Sequence, residues 1–169
     1  MKTCQKCGEK ATIILSYSAY CKKHFLEVLI KRIRKNLIGT FDFNKTYLIL
    51  KTKETELAKA LLTKVYRGRL ILQETNKFTE GMIIPTSLEV ETKRFLDSFL
   101  ENKEYEIKKA IYPLRVILRE ELSEAAKIMG ISYEVEPHPL DEIESHHPGT
   151  KFATLKSLEE YEKNNEFSE

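Results

Sequence analysis

Strand-like and helix-like segments alternate along residues 46–136, and two closely spaced ligand pairs precede them near the N-terminus. Together they predict an α/β protein, with a small metal-ordered knuckle followed by an open, mostly parallel sheet. A chain of 169 residues has room for one ordinary domain and a small appended module. Hydrophobic residues at 41% and charged residues at 32% fit a soluble globular chain with a packed core.

The ligand pairs are Cys4-Gln5-Lys6-Cys7 and Cys21-Lys22-Lys23-His24. A two-residue spacer lets both side chains of a pair turn back onto one ion, and Gly8 stands where such a knuckle needs positive φ. The thirteen residues between the pairs suffice for a hairpin, with Ala11–Leu15 as one strand and a turn near 16–18. Cys4, Cys7, Cys21 and His24 therefore predict a closed, structural, tetrahedral zinc site. A disulfide would leave one cysteine over and His24 unexplained.

A helix is expected directly from Phe25. Phe25, Leu26, Leu29, Ile30, Ile33 and Leu37 recur at helical spacing on one side, and Lys31, Arg34 and Lys35 lie opposite, with Arg32 at the edge. The apolar side must dock on the main domain. The basic side, Lys31, Arg32, Arg34 and Lys35, then forms either an RNA-phosphate grip beside the knuckle or a solvated face. This module occupies residues 1–38.

Residues 39–158 are read as the α/β domain. Gly39 and residues 42–45 form a linker, and the apolar run 46–50 is a buried strand. Leu57, Ala60, Leu61 and Val65 mark a helix over 56–66 that Gly68 ends. Strands follow at 69–73 and at 82–84, the latter cut off by Pro85. Ser87 then caps a helix running to about Leu100. After a hinge at Tyr112-Pro113-Leu114-Arg115, a helix over 118–129 stops at Gly130, and a fourth strand is expected at 132–136. Residues 159–169 form an acidic C-terminal tail, a helix that frays near Asn164. His138, His146 and His147 lack cysteine company and are expected to face solvent rather than hold a second metal.

The formal net charge of +2 conceals a polar split. Residues 1–36 carry nine Lys or Arg against Glu9 and Glu27, whereas residues 134–169 carry three Lys against ten acids. A basic head suits a phosphate backbone, and an acidic tail does not. No apolar run approaches the roughly 20 residues that span a bilayer, and the start has no signal-peptide core, so a cytoplasmic protein is expected.

Several of these segments, in order, resemble one family. The knuckle ending Cys21-Lys22-Lys23-His24-Phe25, with its basic helix, is similar to the opening of the archaeal and eukaryotic tRNA 2-thiouridine synthetases. These are members of the PP-loop ATP-pyrophosphatase superfamily. Residues 81–99, containing Thr86-Ser87-Leu88-Glu89-Val90-Glu91, resemble the family segment built around His-Asn-Leu-Asp-Asp-Glu. Tyr112-Pro113-Leu114-Arg115 resembles its Lys-Pro-Leu-Arg turn, and the next helix with Gly130-Ile131 also fits. His147-Pro148-Gly149-Thr150-Lys151-Phe152, followed by Leu155-Lys156-Ser157, resembles the family's Pro-Gly-Thr-Lys-Phe stretch. The resemblance implies a reduced Rossmann-like sheet of PP-loop type.

Departures from the family pattern shape the functional expectation. Active members cradle ATP on a Ser-Gly-Gly-x-Asp-Ser loop after the first strand, but residues 51–56 read Lys-Thr-Lys-Glu-Thr-Glu, with no glycine to form the nest. Glu54 and Glu56 bring negative charge to a helix N-terminus and repel a pyrophosphate. Archaeal-type members hold an iron–sulfur cluster on cysteines of the α/β domain. All three cysteines here belong to the zinc pairs, and the position resembling Glu-Cys-Pro reads Glu136-Pro137-His138-Pro139. The C-terminal zinc ribbon of full-length members has no counterpart, and only a loop joins Glu74 to Gly81. The implied role is a non-enzyme: a non-catalytic partner subunit in tRNA wobble-uridine 2-thiolation, binding a catalytic paralogue and tRNA. The alternatives are a free-standing zinc-containing nucleic-acid-binding regulator and a divergent active thiolation enzyme.

Overall fold

A computed structural model of the chain describes residues 2–15, 18–135 and 137–166. The first ligand pair is folded by its own backbone: Gly8 N–H donates to Cys4 O at 2.9 Å with φ of 74°, and Cys4 N–H donates to Glu9 O at 2.7 Å. A short antiparallel hairpin follows, β1 (Ile13–Ile14) against β2 (Ala19–Tyr20). It is narrower than the strand expected at 11–15, because Ile13 alone in β1 is buried and pins the hairpin to the core. Of the turn expected at 16–18, Ser16 and Tyr17 lie outside the described residues.

The helix α1 (Lys22–Asn36) begins on the second ligand pair, its Phe25 N–H donating to Cys21 O. Its spacing works as expected. Phe25, Leu29 and Ile33 are buried, with Leu37 just beyond, and all pack into the core of the α/β body. That core runs from Ile13 through α1 to α2 (Thr55–Tyr66) and α4 (Arg119–Met129), and includes Ile49, Ile83 and Leu114. It crosses residue 38 without a break. The linker is also tied down, with Phe41 edge-on to Tyr47 and Tyr66 at ring-centroid distances of 4.8 and 5.3 Å.

The sheet is parallel. Strand β3 (Thr46–Leu50) pairs in register with β4 (Ile71–Thr75), Thr46 opposite Ile71 and Leu50 opposite Thr75. On its other side Ile83 N–H donates to Leu48 O at 2.8 Å, and Ile83 O accepts from Leu50 N–H at 2.9 Å. Ile111 extends the sheet next to Ile83, also in parallel. These two outer lanes are one bridge long because Pro85 and Pro113 follow within two residues, and proline removes a ladder donor. The β4 strand begins two residues later than the 69–73 expected, after Arg67 and Gly68 have turned the chain in left-handed conformations.

The fourth strand expected at 132–136 does not form. Residues 132–135 pair with no strand among the described residues, and Glu136 lies outside them. The alternating pattern there marks only an extended segment, in which Tyr133 packs against the first core. Ser87 does stand at the N-cap of α3 (Leu88–Leu100), but its hydroxyl makes no capping bond and is buried without a partner. Gly130 behaves as expected, closing α4 with φ of 68°. Gly130→Ala should cost about 1–2 kcal/mol, read as a lower urea midpoint at unchanged slope.

Two further helices complete the chain, α5 (Pro139–His146) and α6 (Thr150–Glu166). A second core joins α3 to α6 through Leu88, Phe95, Leu155 and Leu158, with Tyr105 and Tyr161 against Phe95. The acidic stretch beyond 158 is, through Glu166, the continuation of α6. Its Glu162 accepts from Arg115 at 2.9 Å. None of the helices among the described residues is long and apolar enough to cross a membrane.

Candidate metal centre and the neighbouring cleft

The hairpin and the first turn of α1 bring the four predicted ligands to one point. The ligand atoms of Cys4, Cys7, Cys21 and His24 all lie within 4.8 Å of one another. His24 Nδ1 is 3.5 Å from Cys4 Sγ and 3.3 Å from Cys21 Sγ. Tetrahedral angles with bonds of about 2.3 Å to sulfur and 2.0 Å to nitrogen require about 3.5 Å between such atoms. The donor set thus fits a single tetrahedral ion, and a four-iron cube needs its ligands further apart. The other ring nitrogen, Nε2, is 3.8 Å from Glu27 Oε2, which orients the imidazole from behind.

Electrostatics favour a cation here. Burial pushes the Cys4 thiol up, but backbone amides at Cys21, Lys6 and Cys7 more than offset it and lower the group to about 6. The Glu9 amide lowers Cys7, yet desolvation and the thiols of Cys4 and Cys21 carry it up to about 11. One thiolate is ready, and the next is resisted by the charge already gathered. A divalent ion removes that resistance.

The predicted RNA stripe divides. Lys31 and Lys35 are exposed and pair with no carboxylate among the described residues. Arg32 turns inward, donating to Glu121 Oε2 at 2.6 Å and to Val116 O at 3.3 Å, and so fastens α1 to α4. Arg34 is exposed but donates to Val65 O at 3.1 Å. Helical spacing alone could not separate these roles, since the acceptors come from residues 65, 116 and 121.

At the carboxyl end of β3 lies the second region of interest. Thr52 N–H donates to Thr55 Oγ1 at 2.7 Å, Glu54 N–H to Thr52 Oγ1 at 3.2 Å, and Lys51 N–H to Thr75 O at 2.9 Å. Two of these amides bond within the loop and the third bonds strand β4, so the three do not converge on one point. Beside it a cleft of about 540 Å³ is lined by Lys53, Lys93, Arg94, Arg119 and His138, among others. Sequence reading had placed His138 in solvent. It is buried instead, capping α5 by accepting Leu140 N–H on Nδ1 at 3.2 Å, while His146 and His147 are exposed. Burial first, and then Arg119, lower the His138 pKa and disfavour the charged ring.

A third cluster was not anticipated as a unit. Glu89, only 1% exposed, accepts Arg119 N–H on both oxygens at 3.0–3.1 Å and Lys151 Nζ on Oε1 at 3.1 Å. Lys151 also donates to Asp141 Oδ1 at 2.6 Å. The Pro-Gly-Thr-Lys-Phe segment therefore supplies a buried cation that locks α6 to α3, α4 and α5. The signal was present as a glutamate inside an otherwise buried helix start.

No family model matches the chain, and no curated protein matches it. Among solved structures, the U34-tRNA thiolase NcsA from Methanococcus maripaludis, described with its [4Fe-4S] cluster, superposes with a TM-score of 0.75. The match covers 95% of this chain and 88% of that one, at 14% identity. The two chains share a fold. It is an α/β fold with a parallel sheet, carrying an N-terminal Cys₃His group. The finding corrects the expectation of a non-enzyme. That structural neighbour is a thiolase, and the present chain has a ligand group able to hold metal. The expectation rested on the glycine-free loop and the missing cluster cysteines, and neither feature reports what the rest of the fold carries.

Proposed function

We propose that this protein works in tRNA thiolation in the cytoplasm, binding tRNA together with a full-length thiolase-type paralogue. The observation that carries this reading is the fold shared with a U34-tRNA thiolase over nearly the whole chain. The exposed Lys31 and Lys35 beside the ligand group support the tRNA contact. The metal is proposed to be zinc, because three thiolates and one imidazole close a tetrahedron around one ion and leave no position for substrate. Its role is then to fold the knuckle and hold α1 in place.

Copurification at native expression and low salt tests the reading. The expected result is a complex with a thiolase-type protein, with the pair binding tRNA more tightly than either alone. A lone protein that selects no tRNA over other nucleic acids would favour a free-standing regulator. Thiolation assays on each chain and on the pair then identify which polypeptide performs the chemistry. A second reading, that this chain itself carries a catalytic step, is favoured by the cleft where Lys53, Arg119 and His138 meet, lined also by Asp97 and Glu101.

A further inference from the structure

The C-terminal ends of α1 and α2 meet the linker at a notch of about 530 Å³, lined by Arg34, Phe43, Val65, Tyr66, Arg67 and Arg69. It sits at the opposite end of α1 from the ligand group and shares no lining residue with the cleft. The Phe43 ring is 38% exposed, although aromatic neighbours support it: Tyr66 sits 5.6 Å away between ring centroids. The Arg69 guanidinium lies 4.5 Å from the Phe43 centroid. Arg34 is held at the rim by its bond to Val65 O, with its remaining donors free to turn outward. Arg34, Arg67 and Arg69 are all exposed, and none forms an ion pair with a carboxylate among the described residues.

Arg67 is also conformationally costly. It adopts φ of 55° and ψ of 41°, a left-handed conformation that glycine fills at most helix ends. Gly68, which could have served, is the next residue and is left-handed too. The chain thus places an arginine where the backbone disfavours it, beside two other arginines and a partly exposed phenyl ring. The α2 C-terminus attracts a cation, but it does not account for three of them around a phenyl ring.

We propose that this notch binds an unpaired nucleotide of an RNA, its base taking the Phe43 face that the Arg69 guanidinium now covers and its phosphates held by Arg34, Arg67 and the displaced Arg69. Nucleic acid supplies a flat π face and an anion within one residue, and this site offers a partner to each. The surface runs on from Lys31 and Lys35, so the notch rests on the tRNA-binding reading above and locates part of that contact.

The test measures binding of tRNA, of a short single-stranded RNA and of an RNA duplex to the full-length protein across a salt series. Phe43→Leu should weaken the single strand by about 10- to 100-fold, the loss of one stacked base, with no change in salt slope. Phe43→Tyr should restore binding. Arg67→Gly gives the left-handed position its preferred residue, so it should keep or raise the melting temperature while reducing the single-strand salt slope by about 0.7. Duplex binding should be the least affected. Wild-type protein that binds tRNA equally well as Phe43→Leu would overturn the notch and leave the tRNA reading standing. Wild-type protein that binds neither tRNA nor the single strand would sink both. Heparin competing as well as single-stranded RNA, with Phe43→Leu unchanged toward each, would mark a general polyanion surface and reject the stacked base.

Discussion

Cys21→Ser is expected to empty the N-terminal site and unfold the knuckle while the α/β body stays folded. So short a segment has almost no core of its own, and Ile13 is its main buried apolar contribution to the body. Structural zinc contributes about 10–16 kcal/mol of apparent binding energy in comparable small modules, far more than one buried isoleucine supplies. The amides to watch are specific. Cys4 N–H bonds Glu9 O, Gln5 N–H bonds Ala19 O and Thr12 N–H bonds Tyr20 O, all inside the module. Hydrogen exchange should show these three losing protection in Cys21→Ser, while Ile83 and Ile111, whose amides bond Leu48 O and Met82 O in the sheet, keep theirs. Wild-type protein purified without chelator should carry one equivalent of zinc. Under half an equivalent, or a visible absorbance band from iron–sulfur ligation, would reject the zinc assignment, and protected knuckle amides in the metal-free protein would reject its structural role.

The ligand group was legible because metal chemistry imposes short, local spacings. Cys-x-x-Cys and Cys-x-x-His must close on one ion wherever they occur, so no tertiary information was needed. Helix α1 was legible for a similar reason, its apolar residues recurring every three or four positions. The sheet was only partly so. Apolar runs at 46–50 and 82–84 showed buried strands, but how long each lane pairs depends on neighbours such as Ile111, separated by many residues. The segment at 132–135 shows the same limit from the other side, since alternation gives an extended chain and not a partner. Roles of single arginines were least legible. Arg32 and Lys31 are adjacent on α1, yet one is spent on Glu121 and the other faces out, a difference set by α4.

The enzyme question turned on a similar distinction. Residues 51–56 were expected to form a loop without a converging amide nest, and the bonds to Thr52 Oγ1 and Thr55 Oγ1 show where two of its amides go. What the loop could not report was the remainder of the cleft. Lys53 comes from the loop, Lys93 and Arg94 from α3, Arg119 from α4 and His138 from the approach to α5, and only the fold brings them together.

Lys151→Met is expected to destabilise the protein by about 3–5 kcal/mol, because it strands the Glu89 carboxylate in a site sealed from water. For a chain of this size that corresponds to a fall in melting temperature of about 10 °C. Lys151 faces two acids, Glu89 and Asp141, and although burial lowers its pKa, these partners raise it overall. Glu89 is raised as well, since its burial outweighs both Lys151 and the Arg119 amide. The two shifts are compatible: the lysine has a second, half-exposed carboxylate to hold its charge, and the glutamate pairs with no second cation among the described residues. Removing Lys151 lifts Glu89 further above the ordinary 4.5. A group whose folded pKa is raised binds its proton more tightly in the native state, so its stabilisation is complete below 4.5 and is lost as pH rises. The deficit of Lys151→Met should therefore be small near pH 5 and grow toward pH 8. Glu89→Gln keeps an oxygen for Arg119 N–H without the charge, so adding it to Lys151→Met should recover most of the loss at pH 8. Urea titrations of the two single variants and the double variant at both pH values decide the matter. A deficit under about 1 kcal/mol, or one that does not change with pH, would mean that water reaches Glu89 and that the Lys151 contact is an ordinary surface pair.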